Sequence, residues 1–104
     1  SAEAVQSASS AGRPVFIDFT APWCITCQAN KLALLDREEV VSRMSELGYF
    51  RFLADWTNKS PSITNELAKY GRTGVPLYVL IYKDGTVKVL PELLTTGMVL
   101  DALK

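Results

Sequence analysis

Residues 15–27, Val-Phe-Ile-Asp-Phe-Thr-Ala-Pro-Trp-Cys-Ile-Thr-Cys, decide the fold of this chain. The first six form an apolar run that predicts a strand buried on both faces. Pro22 and Trp23 then turn the chain, and a helical pattern follows from Cys24 to about Leu35. Two thiols that are two residues apart at the start of a helix can close a small, reversible disulfide. The stretch therefore predicts a strand, a turn and a helix that carries a site for thiol–disulfide exchange.

The two cysteines of this stretch, Cys24 and Cys27, are the only ones in the chain. A sulfur at a helix N-terminus faces free backbone N–H groups and the positive end of the helix dipole, which favour thiolate. We expect Cys24 to attack a partner's disulfide and the more buried Cys27 to resolve the mixed disulfide. A structural zinc site needs four ligands, and a structural disulfide across so short a loop adds little stability. The prediction is a redox-active Cys24–Cys27 disulfide, with no metal and no bound cofactor.

Composition narrows the class of protein further. The 104 residues predict one domain, and the 11 basic and 11 acidic residues cancel. No basic stripe for nucleic acid and no polybasic membrane anchor is visible in the sequence. The longest apolar run, residues 75–82, is far shorter than the ~20 residues that a membrane span needs. The absence of histidine excludes Ser–His–Asp and Cys–His catalysis.

Asp18 interrupts the apolar strand six residues before Cys24. A charge is costly to bury there, so the simplest interpretation is an edge-strand aspartate that faces solvent. The alternative is a carboxyl beneath the active-site helix, kept partly protonated because burial disfavours its charge. In that place it could accept the Cys27 proton during exchange, and we predict this second role.

Other residues are candidates for a docking surface and for tuning the thiols. In Gly74-Val75-Pro76 we favour a cis bond before the proline, which would expose the Val75 backbone to an extended substrate. Trp23 precedes the nucleophile and is expected on the same docking surface, whereas Trp56 is expected to pack at a strand end. Lys31 follows Cys24 by seven positions and therefore lies on the same helical face, where it is a candidate for tuning the thiols.

The remaining pattern alternates helices and strands. Helices are predicted over residues 2–10, 38–47, 61–70 and 95–103, and strands over residues 49–56, 77–83 and 86–90. Along the helix after Cys24, we expect Ala29, Leu32 and Leu35 to face inward. Asp84-Gly85 predicts a hairpin, and the first two strands must be parallel because a helix crosses between them. These features predict an α/β domain with a mixed central sheet flanked by helices.

The chain resembles the thioredoxin superfamily in three landmarks that occur in that superfamily's order. They are the Asp18-to-Cys24 spacing, the Trp23-Cys24-x-x-Cys27 motif and the Val75-Pro76 step. More narrowly, the chain is similar to the C-terminal periplasmic domains of the bacterial thiol:disulfide interchange family. Residues 54–58, 70–78 and 90–95 carry this narrower likeness, which extends over most of residues 14–103.

The resemblance implies a thioredoxin fold for residues 1–104, as one monomeric domain of a larger inner-membrane protein. It also implies a periplasmic disulfide reductase that acts as an electron relay. The domain would take two electrons from a membrane-embedded cysteine pair in the transmembrane domain of the same polypeptide. It would pass them to the N-terminal immunoglobulin-like domain, which serves periplasmic isomerases and cytochrome c maturation.

Two residues depart from the family pattern. Thr26 stands where ordinary thioredoxins have proline, and Lys31 stands where the relay family often has an acidic residue. An acidic neighbour would raise the pKa of Cys24, whereas Lys31 would lower it. Two alternatives stay open at this point: a stand-alone thioredoxin-like reductase with broad substrates, and a non-catalytic binding module whose cysteines only stabilise the turn.

Overall fold

A computed structural model describes residues 2–104, which form five α-helices, one π-helical turn and four strands. The strands are β1 (Val15–Thr20), β2 (Phe50–Asp55), β3 (Leu77–Ile81) and β4 (Val87–Leu90). The helices are α1 (Ala2–Ser10), α2 (Ile25–Asn30), α3 (Glu38–Glu46), α4 (Pro61–Lys69) and α5 (Thr96–Ala102), and the π-helical turn (Lys31–Leu35) continues α2. No helix within residues 2–104 is both long enough and apolar enough to cross a bilayer.

The four strands form one mixed sheet in the order β2-β1-β3-β4. β1 pairs with β2 in parallel, as predicted from the helical crossover between them, and with β3 in antiparallel fashion. β3 and β4 are joined by the predicted hairpin, where Gly85 has a φ of +86° that a residue with a side chain rarely adopts. The predicted α/β thioredoxin fold is therefore confirmed.

Helices cover both faces of the sheet, and the side chains of β1 alternate between these two faces. Val15, Ile17 and Phe19 point into a core shared with α1 and α4. Phe16 points the other way, into a second core shared with the π-helical turn, α3 and α5. Asp18 has the same strand parity as Phe16, so it also points toward this second layer. The sheet thus places the only charged side chain of β1 on the side of the active-site helix.

The inward stripe of the active-site helix differs from the prediction. Leu35 is buried as expected, but Ala29 is exposed and 74% of Leu32 is accessible to solvent. Cys27 sets the stripe instead, because residues three and seven positions after it lie on the same helical face. Those residues are Asn30 and Leu34, and both are buried. The π-helical turn then adds a residue to the last turn, which brings Leu35 inside next to Leu34.

Candidate active site

Cys24 and Cys27 are joined by a disulfide at the start of α2, with their Cα atoms 5.2 Å apart. Cys24 is the N-cap residue: its backbone is extended, and its sulfur accepts a hydrogen bond from the Cys27 N–H at 3.2 Å. Cys24 is 8% exposed and Cys27 only 2%. The predicted disulfide and the predicted position of Cys24 at a helix N-terminus are both confirmed. A donor aimed at the Cys24 sulfur stabilises a negative charge there.

The Val75–Pro76 peptide bond is cis, as the sequence analysis favoured. Val75 packs against Cys24, Cys27 and Ala21, so the loop before β3 is brought directly to the disulfide. Val75 and Gly74 are half-buried, whereas the Pro76 side chain is buried. The accessible part of this loop next to the disulfide therefore comes from Gly74 and Val75.

Trp23 is 49% exposed and lies against the loop that follows β2. Its indole N–H donates to the Thr57 carbonyl at 3.0 Å. Its ring lies 5.9 Å from the ring of Trp56, measured between centroids. Trp56 is buried at the strand end, as predicted, and its indole N–H donates to the Thr64 hydroxyl at 2.9 Å. The large apolar surface beside Cys24 is thus fixed in orientation rather than free to rotate.

Asp18 lies in an interior strand, because β1 has β2 on one side and β3 on the other. It is not the edge-strand aspartate of the simpler interpretation. Its Oδ1 atom is buried and has no hydrogen-bond partner among residues 2–104. Burial raises the pKa of Asp18 from 3.8 to about 6, against the opposing effect of the positive charges of Arg51 and Lys31. A carboxyl with such a pKa exchanges its proton near neutral pH.

The two candidate tuning residues have different surroundings. Lys31 is exposed, and its ammonium pairs with the carboxylate of Asp36 at 2.7 Å. Lys31 lowers the pKa of Asp18 while Asp36 raises it, so the pair acts on the Asp18 carboxyl with opposite signs. Thr26 is half-buried between the two cysteines in the sequence. Of the predicted site residues, Val75 packs against the two cysteines, whereas Asp18 makes no hydrogen bond to either sulfur.

Sequence reasoning missed Asn30, the only polar residue in the buried set of residues 2–104. Its Nδ2 donates to the Tyr78 hydroxyl at 2.9 Å and to the Glu92 carbonyl at 2.7 Å. Its Oδ1 accepts from the Leu94 N–H at 3.4 Å. Asn30 therefore ties the active-site helix to β3, where Tyr78 faces Asp18, and to the segment before α5. Starting the inward stripe at Cys27 would have found it, because Asn30 is three residues further along.

A thioredoxin fold with a Cys-x-x-Cys disulfide at the start of its first sheet-crossing helix defines a thiol–disulfide oxidoreductase. The chain belongs to the thioredoxin-like family, whose model matches residues 1–83.

Known proteins similar to this chain are thiol:disulfide interchange proteins. The chain is 28% identical, over 99 residues and 91% of its length, to thiol:disulfide interchange protein DsbD 1 of Pseudomonas aeruginosa. It is 31% identical, over 74 residues and 71% of its length, to DsbD of Neisseria meningitidis. The chain spans only 16% and 12% of the lengths of these two curated relatives.

A solved structure shares the fold over nearly the whole chain. The reduced C-terminal domain of Neisseria meningitidis DsbD superposes with a TM-score of 0.74 at 24% identity. That match covers 97% of this chain and 92% of the DsbD domain. The chain therefore has the fold of that domain.

Proposed function

We propose that this chain is a periplasmic relay domain of a larger inner-membrane protein and acts as a protein-disulfide reductase. It receives two electrons from a membrane-embedded cysteine pair and passes them to an acceptor domain of the same polypeptide. The observation that carries the proposal is the Cys24–Cys27 disulfide, with a backbone N–H donated to the Cys24 sulfur at 3.2 Å. The likeness to DsbD over 91% of the chain supports the place in a relay.

The proposed reaction starts from the reduced pair. The Cys24 thiolate attacks one sulfur of the acceptor's disulfide, that S–S bond breaks, and the displaced sulfur leaves as a thiolate. The Cys27 thiolate then attacks the Cys24 sulfur, releases the second acceptor sulfur and closes the Cys24–Cys27 disulfide. Two electrons have moved to the acceptor, and a donor dithiol restores the reduced pair by the same two steps in reverse.

Asp18 is the proposed proton acceptor for Cys27. The resolving thiol must lose its proton before it can attack, and the chain has no histidine to take it. The Asp18 carboxyl points toward the active-site layer, has an unused buried oxygen and has a pKa of about 6. A water molecule between the carboxyl and the thiol would complete the path, since no direct hydrogen bond joins them. The Asp18→Asn variant should therefore slow release of the mixed disulfide more than its formation.

The proposed docking surface consists of Trp23, Gly74 and Val75. Trp23 offers an exposed indole whose position is fixed by its hydrogen bond to Thr57. Val75 touches the disulfide and is partly accessible, so an extended acceptor segment can pair with its backbone beside Cys24. Pro76 adjoins this surface, but its own side chain is buried.

Trapping of the mixed disulfide tests the proposal. The Cys27→Ser variant, reduced and mixed with the oxidised acceptor domain of the longer protein, should accumulate a covalent adduct through Cys24. The matched Cys24→Ser variant keeps the buried thiol and should trap far less. Mass spectrometry after alkylation measures the amount of covalent adduct that each variant forms. If Cys27→Ser forms no adduct with any disulfide protein, a non-catalytic binding module would be favoured.

A second substrate separates a relay domain from a broad-specificity reductase. Oxidised insulin offers accessible disulfides without any dedicated docking surface. A relay domain should reduce the acceptor domain much faster than insulin, measured as single turnovers of the reduced chain. Equal rates with the two substrates would indicate a stand-alone thioredoxin-like reductase instead.

A further inference from the structure

Lys59 lies against two tryptophans next to the disulfide. Its ammonium nitrogen is 5.2 Å from the ring centroid of Trp23 and 5.7 Å from that of Trp56. Lys59 is exposed, and within residues 2–104 its ammonium forms no ion pair with a carboxylate. Indole rings attract a cation placed over their faces, so the two rings hold the charge in place without neutralising it.

Lys59 also has an unusual backbone conformation. Its φ is +50°, the only positive φ of a residue other than glycine within residues 2–104. Glycine and asparagine adopt this conformation more easily than lysine does, and Asn58 occupies the preceding position. Two hydrogen bonds fix this loop. The Lys59 N–H donates to the Trp56 carbonyl at 3.1 Å, and the Trp23 indole N–H donates to the Thr57 carbonyl. The fixed loop therefore holds the Lys59 ammonium against Trp23, the residue that precedes Cys24.

Other charges of this surface are already engaged. The Asp55 carboxylate, in the same loop, accepts hydrogen bonds from the Thr57 N–H at 2.9 Å and from the Thr57 hydroxyl. Arg72, two residues before Gly74, pairs with Glu92 at 3.3 Å. Lys59 is thus a cation beside Trp23 with no ion-pair partner within residues 2–104, while the Asp55 carboxylate in the same loop is directed at Thr57.

We infer that Lys59 is a specificity-determining residue, which selects partners carrying an acidic side chain close to their reactive disulfide. This inference rests on the proposed function. The Trp23 indole receives the apolar part of an extended partner segment, and the Lys59 ammonium pairs with a carboxylate on that segment. Charge pairing of this kind increases the rate of productive encounter more than the strength of the final complex.

Single-turnover reduction of two synthetic peptides tests the inference. Each peptide contains one disulfide, flanked in one case by two glutamates and in the other by two glutamines. The reduced Cys24–Cys27 pair is oxidised to its disulfide while the peptide disulfide is reduced to two thiols, so no further reagent takes part. We expect the glutamate peptide to react ~5-fold faster at low ionic strength, with the preference shrinking as salt screens the charges.

Variants at position 59 identify the group responsible. Lys59→Gln should abolish the preference, Lys59→Arg should keep it, and Lys59→Glu should reverse it, so that the glutamine peptide reacts faster than the glutamate peptide. Lys88→Gln is the matched control, because it removes the same charge from an exposed position on β4, at the far edge of the sheet. It should leave the preference intact.

Two outcomes would overturn the inference. One is a glutamate preference that survives in Lys59→Gln. The other is an equal loss of rate for both peptides in that variant, which would mean that Lys59 only supports Trp23. A failure of the proposed function looks different, because the wild-type chain would then reduce neither peptide.

Discussion

Replacement of Asp18 by asparagine should stabilise the oxidised domain at neutral pH and leave it unchanged in acid. Burial raises the pKa of Asp18 from 3.8 to about 6, so the folded state holds this proton more tightly than the unfolded state. Each pKa unit corresponds to about 1.4 kcal/mol, so the rise in the pKa of Asp18 from 3.8 to about 6 amounts to ~3 kcal/mol. This is the free energy that the ionised carboxylate costs the folded state. An asparagine of the same size never ionises and avoids that cost.

The sign of the pH dependence follows from proton binding. Between pH 3.8 and about 6 the folded state binds more protons than the unfolded state, so the stability contributed by Asp18 falls as the pH rises. Above pH 6 the loss is complete, and below pH 3.8 there is none. The free energy of unfolding of Asp18→Asn, relative to wild type, should therefore rise by ~3 kcal/mol between about pH 3.5 and about pH 7.5.

Urea unfolding of the disulfide form, followed by tryptophan fluorescence across this pH range, measures the difference. Asp55→Asn is the control of opposite sign, because hydrogen bonds from Thr57 lower the pKa of that exposed carboxyl. Asp55 stabilises the fold above its ordinary pKa and loses this effect as the pH falls, so its replacement should destabilise at neutral pH only. A difference between Asp18→Asn and wild type that does not change with pH, or that falls as pH rises, would refute the account of a desolvated carboxyl.

Three further predictions test other parts of the structure. Asn30→Ala should cost about 2–3 kcal/mol in urea unfolding because it leaves the buried Tyr78 hydroxyl and the partly buried Glu92 carbonyl without their donor. Gln28→Ala, which loses one bond to the Ala21 carbonyl, should cost less than ~1 kcal/mol, and equal costs for the two variants would contradict this. Leu35→Ala should cost about 2–5 kcal/mol and Leu32→Ala less than ~0.5 kcal/mol, and the reverse order would show that the helix presents another face. Lys31→Gln should raise the pKa of Asp18, read by NMR of the side-chain carboxyl, because it removes a positive charge and frees Asp36; a lowered pKa would contradict the assignment.

The sequence was sufficient wherever a local signal determines the structure. The apolar run of β1 and the position of Cys24 before α2 each depend on neighbouring residues, and both were predicted. The hairpin at Asp84-Gly85 belongs to the same class, since Gly85 supplies the positive φ of a short loop that the Tyr82 N–H and the Thr86 carbonyl close. The parallel pairing of β1 and β2 followed from a topological rule rather than from side chains.

Two features that depend on distant segments were not predicted. The choice of inward face for α2 depends on which residues meet β3, and only the contact with Tyr78 identifies Asn30 as part of that face. Lys59 was not singled out from the sequence, because its contact with Trp23 joins residues that are 36 positions apart in the chain. For Asp18, the sequence favoured a carboxyl beneath the active-site helix over an edge-strand aspartate, and the pairing of β1 with both β2 and β3 excludes the edge strand.

The reduction potential of the Cys24–Cys27 pair tests the central claim most directly. Equilibration of the chain with glutathione buffers of increasing oxidation, followed by acid quenching and alkylation, gives the fraction in the disulfide form. A domain that passes electrons to an acceptor should titrate reversibly as one two-electron couple, nearer to the about −270 mV of thioredoxin than to the about −120 mV of a strong oxidant. A potential close to the latter value, or a disulfide that does not exchange with glutathione, would contradict the account.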